Sequence, residues 1–172
     1  MVSSHGHSGE RLHSAWSPGL VSGVVAGVLA TAPMTAVMVA LNRRLPPNRA
    51  VPPGEITGRV AARAHVREHL SDEQMKELSL FAHFAYGGAA GAVLGPAQHL
   101  IVLPGWLVGM FYGLFVWAAS YIGFLPALHL TRPVQNEPPS RHVMMIVAHL
   151  VWGAVLGAII AMLRPTPRRT PG

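Results

Sequence analysis

The chain alternates between long stretches without charge and short segments that hold nearly all of its polarity. Four apolar runs stand out: Gly19 to Leu41, Leu78 to Leu103, Gly105 to Leu125 and His142 to Leu163. None contains Asp, Glu, Lys or Arg. A bilayer core of about 30 Å needs about 20 apolar residues in helical form, and each run is long enough. Helices of a soluble bundle keep a polar face, and these keep none. The pattern predicts an all-α integral membrane four-helix bundle over residues 19–163. Pro96 predicts a kink near the end of span two. Only the turn Leu103-Pro104-Gly105 separates spans two and three, which makes them antiparallel neighbours. The first run reads as a retained span, because no basic segment precedes it and it is too long for a signal peptide.

The segments between the runs are unequal. Residues 1–18 form a His/Ser/Gly-rich tail expected to be flexible, and residues 164–172 a basic, Pro-rich one. The loop 42–77 is the longest polar segment. Its Pro46-Pro47 and Pro52-Pro53 pairs predict extended polyproline geometry. A short amphipathic surface helix is expected from about Glu55 to Leu70. There Ile56, Val60 and Ala64 share one face, and Arg59, Arg63 and Arg67 another. Ser71-Asp72-Glu73-Gln74 reads as a capping box that starts the helix leading into span two.

Composition sharpens this picture. Of 172 residues 51% are hydrophobic and 12% charged, against about 25% charged in soluble domains. With no Cys, a disulfide framework or thiolate metal site is excluded. The net charge of +6 is almost all Arg and lies between the apolar runs, which argues against nucleic-acid binding. Nine Lys and Arg flank the side holding loops 42–77 and 126–141, against four on the side of the termini. The positive-inside bias therefore places both loops in the cytoplasm. The Arg59, Arg63 and Arg67 row reads either as a contact to anionic lipid headgroups or as a solvated face that fixes topology. The tail histidines His5, His7 and His13 read as incidental rather than as a metal site.

Each span carries glycines four residues apart. The rows are Gly19, Gly23 and Gly27; Gly87, Gly91 and Gly95; Gly105, Gly109 and Gly113; and Gly153 with Gly157. Such rows let helix backbones approach closely, where dispersion replaces the missing hydrophobic drive. Continued toward the cytoplasmic side, they reach Thr31 and Thr35, His83, Trp117 and Tyr121, and His149. Spans two and four also share the order His-x-x-aromatic-Gly-x-x-x-Gly, at His83 and at His149. The chain reads as a duplicated two-helix hairpin with both copies in the same orientation.

Ionisable residues inside a membrane are functional candidates. The plainest reading of His83 and His149 is a pair of neutral imidazoles bonded between helices, to Thr31, Thr35, Ser120, Tyr121 or a carbonyl across a tight glycine crossing. The protein is then a structural or accessory membrane component with no cofactor, the bilayer as its partner, and self-association as a further expectation. One alternative is a bis-His haem or metal site, with spans two and four on one diagonal of the bundle. The other is a small carrier or pore using the His/Thr/Tyr layer. No nucleophile–base set, HExxH, phosphate loop or paired carboxylates speak for an enzyme.

Five segments together resemble the YagU-like group of small bacterial inner-membrane proteins of unknown function. They are Ala30-Thr31-Ala32-Pro33-Met34-Thr35, Pro52-Pro53-Gly54-Glu55-Ile56-Thr57, His83-Phe84-Ala85-Tyr86-Gly87, the stretch from Ser120 to Leu128, and His149-Leu150-Val151-Trp152-Gly153. The resemblance spans about residues 19–160. It implies a bacterial inner-membrane location and supplies no substrate, cofactor or catalytic residue.

Overall fold

The computed structural model describes residues 7–44, 52–131 and 137–163, which form helices and turns with no strand among them. Helix α1 spans His7–Asn42, α2 Pro52–Arg63, α3 Asp72–Ala97, α4 Gly105–Ala127 and α5 Pro139–Met162. Residues Pro18–Asn42 of α1, together with α3, α4 and α5, are long and apolar enough to cross a membrane. The four-span expectation holds, with shifted ends. Among the described residues helix α1 already runs from His7, ahead of the apolar run at Gly19. The tail histidine His5, the Pro46-Pro47 pair and residues 164–172 lie outside the described residues, as do the side chains of His7 and His13.

Local chemistry explains most of the boundaries. The capping box is present at α3: Ser71 Oγ accepts from the Gln74 amide at 3.2 Å, and Gln74 Oε1 accepts from the Ser71 amide at 2.9 Å. Pro52 and Pro53 open α2 instead of extending the chain, since a helix's first turn leaves its amide donors unpaired and tolerates proline. The surface helix is also shorter than expected. His65 adopts φ 55°, and the Val66 amide donates back to the Ala61 carbonyl at 3.0 Å. That left-handed stop ends the helix and leaves only a 3-10 turn at Arg67–His69. Helix α4 ends alike, with His129 at φ 54° and the Leu130 amide bonded to the Leu125 carbonyl at 2.8 Å.

Helix α4 widens before it stops. Ala118–Phe124 is π-helical, with the Leu125 amide donating to the Ser120 carbonyl five residues back. The wider turn brings two consecutive residues, Ser120 and Tyr121, to the buried side. Pro96 produces a stop more than a kink: α3 ends at Ala97 and a 3-10 turn, Gln98–Leu100, follows.

The glycine rows mate in two seams, α1 with α3 and α4 with α5. A Cβ at Gly23 would fall on the Gly91 carbonyl oxygen, and one at Gly27 on that of Gly87. In the second seam Gly109 meets the Gly153 carbonyl, Gly113 meets that of His149 and Gly105 that of Gly157. Each seam is backbone against backbone, the close approach that small residues permit in lipid. The seams join along α1 and α5, where the Trp152 indole donates to the Gly27 carbonyl at 3.3 Å. Met38, Met144, Leu156 and Ile160 fill this centre, each almost wholly buried.

Two relations differ from the sequence reading. Spans two and three are consecutive, yet α3 touches α4 at few points, because each has given its glycine face to another helix. The duplication also appears with a slip, since the order Gly-x-x-x-Gly-x-x-x-(Thr or Trp) in spans one and three sets Gly23, Gly27 and Thr31 beside Gly109, Gly113 and Trp117. Gly27 facing Gly87 corresponds to Gly109 facing Gly153, so Gly27 matches Gly109 and not Gly113. A row of glycines repeating every four residues looks the same after a one-turn shift, so sequence alone aligns it one turn out.

Candidate binding cavity

A cavity of about 460 Å³ lies between the four spans at the end where α2 sits. Its size falls within the roughly 300–1,000 Å³ of small-molecule sites. Most of the buried part of its wall comes from α1, α4 and α5, including Thr31, Met34, Met38, Tyr121, His149 and Trp152, with Pro52 and Ala61 of α2 and Gly87 of α3 adding to it. The exposed part comes from α2, α3 and the end of α4: Val60, Leu78, Ala82, Tyr86 and Phe124. The surface is overwhelmingly apolar, with a few polar groups set into it.

Both intramembrane histidines line this one space. Helices α3 and α5 stand on a diagonal of the bundle, and His83 and His149 reach the cavity from its two sides. His149 Nδ1 bonds the Met145 carbonyl at 2.8 Å, one turn back in its own helix. A carbonyl can only accept, so Nδ1 carries the proton and Nε2 of the neutral ring remains an acceptor. His83 Nε2 is buried and finds no hydrogen-bond partner among the described residues. Neither imidazole therefore makes the interhelical bond that the plainest sequence reading assigns to it. Tyr86 OH and Ser120 Oγ meet at 2.7 Å, a polar link from α3 to α4 across the cavity's open side. Thr31 Oγ1 donates to the Gly27 carbonyl at 2.8 Å.

Helix α2 roofs the cavity with Ile56, Val60, Ala61 and Ala64. Polar contacts on its other faces hold it there. Arg63 donates to the Leu128 carbonyl and Arg59 to that of His129, so both satisfy carbonyls at the C-terminal end of α4. Arg59 also meets Glu55 at 3.4 Å, and Arg67 meets Asp72 at 2.9 Å. Glu55 holds the stronger anchor, accepting from Arg141 of α5 at 2.7 Å. The Arg141 side chain is 4% exposed; its Nε lies 3.2 Å from Tyr121 OH and 3.5 Å from a Glu137 carboxylate that is 3% exposed. Two carboxylates and a phenol thus surround one buried guanidinium, the environment such a charge needs.

Of the polar layer expected from sequence, Thr31, His83, Ser120, Tyr121 and His149 come together on the cavity wall. Thr35 and Trp117 do not. Thr35 Oγ1 turns back to the Thr31 carbonyl at 2.7 Å, and Trp117 packs against the core. Sequence reasoning missed the Arg141–Glu55–Glu137 cluster, because Arg141 counts as one more loop cation when only charge is tallied. An Arg four residues after a Glu at a helix start was the available signal. It also missed Gln98, which is 1% exposed and donates to the Gly157 carbonyl at 3.0 Å.

Among the described residues no group of three or more His, Cys, Asp or Glu is placed to hold a metal ion. No curated protein and no solved structure matches the chain. A family model does, over residues 35–158. That range is well over half the chain and includes both cavity histidines, α2 and the Arg141 cluster. The family is one of unknown function, in line with the expectation from the sequence. The chain belongs to the family described as protein of unknown function (DUF1440).

Proposed function

We propose that this multi-pass membrane protein binds a small, largely apolar molecule in the cavity and holds the molecule's polar head between His83 and His149. One observation carries the reading: both intramembrane histidines line the same apolar space, and His83 Nε2 is buried there without a partner. Buried polar groups are normally satisfied, and leaving one unpaired costs about 1–3 kcal/mol. A ligand head would supply the missing bond. This favours the carrier among the readings of the sequence over a purely structural component. We place the protein in the bacterial inner membrane with loops 42–77 and 126–141 cytoplasmic, supported by the family resemblance and the Arg distribution. The bilayer is its partner, and Arg59 and Arg67 remain partly exposed beside their internal contacts, where anionic headgroups can reach them.

The test is native mass spectrometry of the full chain released from mild detergent, with His83→Leu and His149→Phe beside the parent. A co-purifying small molecule is expected in the parent and is lost in both variants. His83→Leu should also raise the thermal stability of ligand-free protein, because it removes the unpaired nitrogen. No bound molecule, together with a lower melting temperature for His83→Leu, would refute the reading.

A second reading is a haem between the two imidazoles. It is favoured by the His149 Nδ1–Met145 carbonyl bond, since ligating histidines commonly donate their other ring N–H to such a group. An absorption spectrum of the purified protein decides it. A Soret band lost in either variant establishes haem, and its absence removes this reading alone.

A further inference from the structure

The cavity wall is not uniform, and its asymmetry says where an occupant comes from. The lining residues on α1 and α5 are buried. Exposed lining falls on Val60, Ala64 and Val66 in and just after the roof helix α2, and on two spans: Leu78, Ala82 and Tyr86 of α3 and Phe124 of α4. Those two helices barely touch, both are long enough to span a membrane, and Ala82, Tyr86 and Phe124 all lie within spans. The mouth therefore opens sideways, between α3 and α4. Toward the loops the cavity is covered by α2, pinned through Glu55 to Arg141 and through Arg59 and Arg63 to the end of α4. Two side-chain hydrogen bonds cross the gap: exposed Tyr86 with Ser120 at the mouth, and Tyr112 donating to the Ala90 carbonyl at 2.7 Å one turn further along.

The polar groups narrow the ligand's head. With its proton on Nδ1, His149 has only an acceptor left on Nε2, so the one bond it can make there is to a donor. An ester or ketone cannot supply one. A hydroxyl donates to His149 and still offers an oxygen to His83 on the opposite wall.

Building on the binding reading, we infer that the cavity is loaded from the bilayer through the α3–α4 gap by a single-chain amphiphile whose head carries an O–H group. A long-chain alcohol and a protonated fatty acid share this chemistry. The volume suits one chain, and the apolar wall of Met34, Met38 and Met145 receives it.

The experiment uses the full chain in phospholipid nanodiscs with a diazirine-bearing palmitic acid, photolysed at intervals and mapped by peptide mass spectrometry. Saturable labelling of peptides holding Met34, Met38 and Met145 is expected. Hexadecanol should compete, and palmitic acid methyl ester should compete at least ten-fold less well. Ala82→Trp, which fills the mouth from an exposed position, should slow loading at least ten-fold. Leu78→Trp provides the same block should Ala82→Trp unfold. Phe124→Ala should speed loading, and Glu55→Gln, which loosens the roof, should leave it unchanged. Faster loading in Glu55→Gln, with no effect of either Trp variant, would overturn the lateral route and place access under α2. Equal competition by the methyl ester would overturn the O–H requirement. Absence of saturable labelling would overturn the single-chain occupant. The binding reading would still stand if the mass-spectrometric ligand is lost in His149→Phe, and would fall as well if no ligand is found and His83→Leu melts below the parent.

Discussion

Arg141 and Glu55 stand 86 positions apart in the chain and meet at 2.7 Å, joining the loop helix α2 to the base of α5. Glu55 is 27% exposed while Arg141 is 4% exposed, so the two partners bear removal differently. Arg141→Met takes the guanidinium away from two carboxylates, one of them buried, and should destabilise by about 3–5 kcal/mol. Glu55→Gln keeps an acceptor and leaves Glu137 in place, so its loss should stay near 1 kcal/mol. Thermal unfolding in detergent measures both. A larger loss from Glu55→Gln would show that α2, and not the buried guanidinium, is what the cluster supports.

Glycine substitutions should divide sharply by seam. Gly109→Ala drives a methyl into the Gly153 carbonyl, a backbone atom that cannot turn aside. Overpacking of this kind costs about 1–3 kcal/mol. Gly58 of α2 has nothing within 4 Å of a new Cβ, so Gly58→Ala should stabilise by about 1 kcal/mol through helix propensity. Melting temperatures moving in opposite directions are the expected result, and equal shifts would place the α4/α5 seam elsewhere.

Much of this architecture was legible from residue order. Four charge-free runs gave the spans, glycines every four residues gave the seams, and Ser71 with Gln74 gave the start of α3. These signals act within a turn or along one helix face, so local sequence carries them. The shared cavity of His83 and His149 was half legible, because each could be placed on its helix but the gap between α3 and α4 depends on how four helices divide their faces. The ends of α2 and α4 were hidden for a different reason. Both stop on a histidine in a left-handed conformation, where glycine is the usual signal.

That choice of residue supplies its own test. A non-glycine residue in the left-handed region carries a steric penalty of about 1–2 kcal/mol. His129→Gly should therefore stabilise the protein by about 1 kcal/mol, with the Leu130–Leu125 bond preserved. A lower melting temperature would mean that the imidazole itself holds the α4 terminus.

Thr31 and Trp152 both donate to the Gly27 carbonyl, from α1 and α5 respectively. Either bond can be lost while the oxygen keeps the other. Thr31→Val and Trp152→Phe should each cost about 0.6 kcal/mol through the hydrogen bond. The double variant should lose more than their sum, by about 0.5 kcal/mol or more. A double-mutant cycle in detergent measures this coupling, and strict additivity would show that the two donors act independently.

The one-turn offset between the two seams has a consequence for how the bundle finds its final arrangement. A comb of identical teeth can engage in several positions, and a glycine row encodes which face to present but not how far along to slide. Axial position must therefore be written in the residues that break the monotony. In the first seam Thr31 sits against Gly87 and Pro96 against Gly19. In the second, Gln98 reaches from the end of α3 to the Gly157 carbonyl, across to the opposite hairpin. Those few side chains act as detents: they carry little of the binding strength, and nearly all of the information about where each helix comes to rest.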